Sequence, residues 1–124
     1  MRLRQKKTHA LAWLLEPLED HPTYLRKKMF GCEAAYLNGK LTIVLAAGDE
    51  PWNGLLIATD RKFHSALKAQ WNPLAPHAVL GKWLYLSQSH HDFEEIATAV
   101  VDRVKREDPR IGVESKPRKE KRHA

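Results

Sequence analysis

The stretch MFGCEAAYLNGKLTIVLA, Met29 to Ala46, decides how the rest of the chain is read. Asn38-Gly39 lies between two apolar runs, and Asn-Gly is the pair that best tolerates the positive φ angles of a type I′ turn. A two-residue loop fixes the register of the strands it joins. Tyr36 is therefore expected opposite Leu41, Ala34 opposite Ile43 and Cys32 opposite Leu45. Leu37, Ala35 and Glu33 are expected opposite Lys40, Thr42 and Val44 on the other face, with the first face turned to the core.

Upstream of this hairpin, Leu11, Leu14, Leu15 and Leu18 follow helical spacing behind Thr8 as an N-cap, which predicts a short amphipathic helix from near His9. Pro17 removes a donor, so the helix should stop around Leu15 or restart as a single turn. Trp13 lies off the leucine stripe and should be half exposed. His21-Pro22 marks a loop over residues 19–23, because the residue before proline is pushed out of the helical region. Arg26, Lys27 and Lys28 then read as a solvated entrance to the first strand.

Downstream, residues 48–54 are dense in turn formers and should lead to a third strand at 55–58. Trp52 in that loop either folds onto the core, the reading preferred here, or marks a contact surface. Thr59-Asp60 offers an N-cap for a second helix with Phe63, Ala66, Leu67 and Trp71 as its buried stripe. Asn72-Pro73 ends it, and a loop rich in proline leads to a fourth strand at 82–87. Trp83 and Tyr85 would occupy one face of that strand and Leu84 and Leu86 the other, which suits a central or doubly covered position. The last helix is expected to be capped by Ser89, with Asp92, Glu94 and Glu95 at its positive end and Lys105 and Arg106 at its negative end. Phe93, Ile96, Ala97, Val100 and Val104 form its apolar stripe, and Asp108-Pro109 closes it. The order predicts an α+β fold: a mostly antiparallel sheet, a β-hairpin or meander plus a later strand, packed against two or three helices.

The 124 residues suffice for one core, and the net charge of +6 is unevenly placed. Residues 1–7 form a basic arm with Arg2, Arg4, Lys6 and Lys7. Residues 8–113 are expected to be the single domain, with 12 basic and 13 acidic side chains. Residues 114–124 form a basic tail with Lys116, Arg118, Lys119, Lys121 and Arg122, expected to be disordered for want of apolar residues. A folded nucleic-acid reader usually carries a basic patch on its body. Here the arms are the candidates for non-specific phosphate contacts, and solubility is their plainer role. One cysteine excludes an internal disulfide and, with no export signal read at the start, points to a cytoplasmic setting. No segment approaches the roughly 20 apolar residues that span a bilayer, so no membrane partner is expected.

Residues able to carry chemistry are present, but not in catalytic patterns. His90 and His91 are adjacent, and on a helix would point about 100° apart, so no shared metal is expected. Cys32 is expected to be a buried filler beside Ala34, Ile43 and Leu45. Asp49-Glu50 and Glu94-Glu95 suit a turn tip and a helix start, and the glycines lack the order of a phosphate loop. The chain is accordingly read as not an enzyme and without cofactors. The competing reading is a ligand-binding protein or enzyme with a pocket between the second helix and the sheet, near Trp52, His64 and Trp71. Trp52, Trp71, Trp83 and Tyr85 could also gather to stack on bases, although their spacing suits a core.

Met29-Phe30-Gly31, Tyr36 and Asn38-Gly39-Lys40 ahead of an apolar strand resemble the N-terminal domain of the TfoX (Sxy) family, bacterial proteins associated with regulation of competence. The outline is similar over residues 8–110. Trp71-Asn72 is also similar to a step in the YjbR/MmcQ-like proteins. Cys32 stands where the TfoX pattern has a second glycine, and the third strand lacks that family's aromatic and lysine. The resemblance implies an α+β fold and a non-enzymatic regulatory or adaptor setting, with the motif residues acting as bend and turn. A protein partner is expected, and a homodimer along a strand edge is a further expectation.

Overall fold

The Asn38-Gly39 turn forms as its chemistry requires. In the computed structural model, which describes residues 11–29 and 31–114, Asn38 has φ 55° and Gly39 φ 77°, joining β2 (Cys32–Leu37) to β3 (Lys40–Ala47). Leu37 pairs with Lys40 and Tyr36 with Leu41, as expected. Beyond that point the register departs from expectation. A bulge shifts it by one, so that Ala35 pairs with Ile43, Ala34 with Val44 and Glu33 with Leu45. Thr42 is the extra residue: its hydroxyl donates to the Ala35 carbonyl at 2.8 Å, and its own carbonyl accepts from the Ala58 N–H at 2.9 Å.

A one-residue slip moves side chains to the opposite face. Ile43 and Leu45 consequently join one apolar cluster, while Leu41, Val44 and Ala46 join another. The expectation of a single core face is therefore corrected: both faces of the sheet are apolar.

The basic triplet is not an entrance but the middle of a strand of its own, β1 (Leu25–Met29), antiparallel to β2 with Met29 opposite Cys32. Its charge is accommodated by Glu33, whose carboxylate accepts from Arg26 Nε at 3.0 Å and Lys28 Nζ at 3.3 Å. Gly31, at φ 78°, belongs to the turn between β1 and β2 rather than to a strand. β4 (Asn53–Ile57) extends the meander. β6 (Leu84–Ser87) adds to β4, and the short β5 (Ala75–Pro76) forms the far edge. The order is β1-β2-β3-β4-β6-β5, antiparallel throughout. β6 is thus penultimate and apolar on both faces. β7 (Val113–Glu114) pairs with Lys40 and Leu41, where β4 does not reach.

Helices cover the first face. The leucine stripe folds as a 3₁₀ helix, Ala12–Leu18, which continues through Pro17 and buries Leu14, Leu15 and Leu18. The proposed Thr8 cap lies outside the described residues. Trp13 is 41% exposed, as its place off the stripe implied. Asp60 caps the next element by accepting from Arg61 N–H at 2.8 Å; a 3₁₀ turn, Arg61–Phe63, runs into α1 (His64–Gln70). Leu67 is buried, with Phe63 and Trp71 packed beside it, but Ala66 is exposed and not part of the stripe. α2 (Phe93–Lys105) buries all five expected residues together with Val101. Neither Ser89 nor Asp92 supplies a side-chain cap there. Instead, Asp92 N–H donates to His90 Nδ1 at 3.0 Å.

One end of the molecule is tied by a polar cluster. His21 Nδ1 accepts from Thr23 N–H at 3.1 Å, so the ring proton is on Nε2, which donates to Glu107 at 2.9 Å. Thr23 Oγ1 accepts from Asn38 N–H at 2.8 Å, and Asn38 Nδ2 donates to the other Glu107 oxygen at 3.2 Å. The hydrogen bond from His21 holds the Glu107 carboxyl below its ordinary range. Three segments remote in sequence therefore meet at the hairpin turn.

Candidate functional site

The second face carries a different chemistry from the first. Its buried members, Cys32, Ala34, Leu41, Val44, Ala46, Leu56 and Ala58, come from strands and their ends, and its margin is formed by the partly buried Tyr36, Trp52, Leu80, Trp83, Tyr85 and Val113. Among the described residues, no helical side chain belongs to this cluster. At one end, a pocket of about 640 Å³ is lined by Cys32, Ala47 and Gly48 on the sheet side and by Trp52, Val79 and Leu80 on the loop side, with Gly31 at its edge.

Two loops shape this pocket, and His77 joins them. The 48–52 loop closes on itself through Gly48 N–H to Trp52 C=O and Trp52 N–H to Asp49 C=O, both 2.6 Å. His77 is buried, and its Nδ1 accepts from the N–H groups of Val79 at 3.1 Å and Leu80 at 3.0 Å. The ring proton is accordingly on Nε2, which donates to Pro51 C=O at 2.8 Å. The imidazole also lies 4.5 Å from the Trp52 ring and edge-on to Tyr85 at 5.4 Å, centroid to centroid. With both nitrogens committed, His77 positions the pocket walls and has no lone pair left for a ligand. Tyr85 donates its hydroxyl to Asn53.

Cys32 is buried, and that burial, with the Glu33 charge beside it, raises its thiol pKa. This suits an apolar filler rather than a nucleophile. For Glu33 itself burial pushes the carboxyl up, but the hydrogen bonds and charges of Arg26 and Lys28 outweigh it and hold the carboxyl below its usual range.

The structure separates residues that the sequence grouped. Trp52 lines the second-face pocket, Trp71 packs against the first-face cluster, and His64 donates from Nε2 to Lys82 C=O at 2.8 Å. The three do not meet. Trp52, Trp83 and Tyr85 do gather on the second face. Of the residues that carry the sequence resemblance, Gly31, Asn38 and Gly39 occupy turns with positive φ, Lys40 is exposed opposite Leu37, and partly buried Tyr36 lies 5.3 Å beneath Lys27 Nζ. Met29 ends β1, and Phe30 lies outside the described residues. So do the arm residues Arg2, Arg4, Lys6, Lys7, Lys116, Arg118, Lys119, Lys121 and Arg122.

His90 and His91 sit in the turn before α2, not on it, and their rings stack at 4.6 Å. Together with Asp92 they bring three donor atoms within 4.8 Å, beside an open cleft walled by Trp13, Glu94 and Glu95. The divergence expected of helical neighbours therefore does not apply. A metal on His90 still meets a chemical obstacle. Nδ1 already accepts the Asp92 N–H, and coordination through Nε2 would require the ring proton to move to Nδ1, against that donor.

The sequence pointed to Trp52 as a loop aromatic but not to Val79, Leu80 or His77. No short motif joins residues 31–32, 47–52 and 77–80; only the register of the sheet does. No protein-family model matches the chain, and no curated protein or solved structure does.

Proposed function

We propose that this chain is a small non-enzymatic adaptor or regulatory module of the TfoX N-terminal type, which acts by holding a protein partner on the second face of its sheet. The observation that carries this reading is the pocket between Cys32, Ala47 and Gly48 and the Trp52, Val79 and Leu80 walls. Its lining is apolar and includes Val79 at 64% exposure, a side chain that has little reason to stay in water unless something covers it. Among the described residues its lining brings together no convergent set of polar groups, which suits the grip of an apolar side chain better than catalysis. The basic arms would add sequence-independent, salt-sensitive contact with phosphates.

The test is amide NMR of the full chain titrated with capped leucine and tryptophan amides as side-chain probes. Shifts confined to Gly31, Gly48, Trp52, Val79 and Leu80, and lost in Val79→Asp, are expected. An unchanged spectrum around the pocket at millimolar probe overturns the reading. The arm component is checked separately, by DNA binding at rising salt. A variant with the nine arm cations changed to glutamine should lose both the affinity and its salt dependence.

A further inference from the structure

β1 ends the sheet order, with β2 on one side and no strand among the described residues on the other. Two residues separate the paired Met29 and Cys32, so Leu25, Lys27 and Met29 direct their main-chain groups to β2. The N–H and C=O groups of Arg26 and Lys28 therefore turn outward, spaced for another strand. The side chains around them are strongly basic. Among the described residues, Arg26 and Lys28 share one carboxylate, that of Glu33, while Lys27 points to the other face. Lys27 is left over the Tyr36 ring on the same face as the pocket, and Leu25 is 49% exposed.

Lysines on an edge ordinarily repel another strand. Here that repulsion is selective. An antiparallel pair of two β1 strands centred on Lys27 would set Lys27 against Lys27 and Arg26 against Lys28, six cations on adjacent strands, and like charges opposite one another destabilise a pair. A strand bearing carboxylates reverses the sign of every one of those contacts. We propose that the partner of this module is an extended acidic segment that adds to the sheet along β1, with backbone hydrogen bonds to Arg26 and Lys28 and carboxylates facing Arg26, Lys27 and Lys28. The proposal rests on the adaptor reading and names the chemistry of its partner. Backbone pairing supplies the affinity and the basic triplet the selection.

The experiment uses the full chain and a labelled peptide of three consecutive glutamates flanked by threonines, which presents carboxylates on both faces, followed by fluorescence anisotropy at low and moderate salt. Two competitors have the same charge: one is N-methylated at every residue and has no N–H donor on either edge, the other is prolyl-glutamyl and lacks the donor at every proline. Saturable binding is expected, weakened by about tenfold or more by N-methylation and by Lys27→Glu, with the fold of the variant checked by circular dichroism. Equal binding of all three peptides would show a charge contact without strand addition and overturn the proposal, as would absence of binding at millimolar peptide. A dimer in sedimentation that Lys27→Glu alters would assign the edge to a second copy, and tighter binding of DNA through the same lysine would assign it to phosphates; either overturns it. Failure of the peptide with the pocket still taking the leucine amide removes this inference alone, whereas failure of both removes the adaptor reading.

Discussion

The two faces of the sheet are built from neighbouring residues of the same strands, yet they have different roles. On the first face, Ile43, Leu45, Leu55, Ile57, Leu84 and Leu86 are closed over by the 3₁₀ helix, α1 and α2, and are at most 1% exposed. The cluster is dominated by aliphatic side chains. On the second, alanine, cysteine, valine and leucine side chains form the floor while Tyr36, Trp52, Trp83 and Tyr85 stay partly exposed at the margin. Aliphatic side chains locked under helices contribute stability. Large amphipathic rings at the rim of this apolar floor leave surface that a partner can use. The fold's stability should therefore reside mainly on one face and its recognition on the other.

The hardest way to strike that division is Leu55→Ala. Leu55 is fully buried on the first face, and the cavity should cost about 2–5 kcal/mol in urea unfolding. A smaller effect should come from Glu33→Gln at the β1–β2 end, about 1–2 kcal/mol at neutral pH, since it removes a charged partner of Arg26 and Lys28. Its sign with pH is fixed. The folded carboxyl is held below the unfolded value near 4.5, so its contribution is complete above that value and disappears as pH falls through the folded pKa. Wild type and variant should thus converge in stability on acidification, read by thermal melts across that window. Val79→Asp should change stability by no more than about 0.5 kcal/mol while abolishing the probe shifts at the pocket. If it unfolds the protein instead, the second face is also a structural core and the comparison fails. Unlike the others, Tyr24→Phe should not destabilise the protein. Among the described residues the buried Tyr24 hydroxyl, on the first-face side, has no hydrogen-bond partner, so its removal should be neutral or stabilise by up to about 1 kcal/mol.

What the sequence could show follows from the range of each interaction. The Asn38-Gly39 turn, the leucine stripe and α2 depend on near neighbours, and all three were legible. β1 was hidden because Leu-Arg-Lys-Lys-Met has no apolar alternation, the usual mark of a half-buried strand. The bulge was hidden for another reason. Thr42 differs in no local way from its neighbours, and its extra place in the strand is settled by bonds to Ala35 and to Ala58, the second of which comes from another strand's end. Because the bulge decides which of Ile43 and Val44 faces the helices, missing it merged two faces into one. β7 was equally out of reach, since two residues joining β3 at Lys40 and Leu41 carry no pattern of their own. The pocket inherits these gaps, being assembled from turns that only the finished sheet brings together.

The cluster around Asn38 has a consequence for how long the molecule lasts. An asparagine followed by glycine is chemically fragile, because the unhindered Gly39 nitrogen can attack the Asn38 side-chain amide and release ammonia through a cyclic imide. That attack needs the side chain to swing toward its own main chain. Here Nδ2 is held by Glu107, and the preceding N–H is held by Thr23. The folded protein therefore shields the bond that its tightest turn makes vulnerable. An aspartate formed there would set a carboxylate against that of Glu107, so each ageing event would loosen the tie that had delayed it.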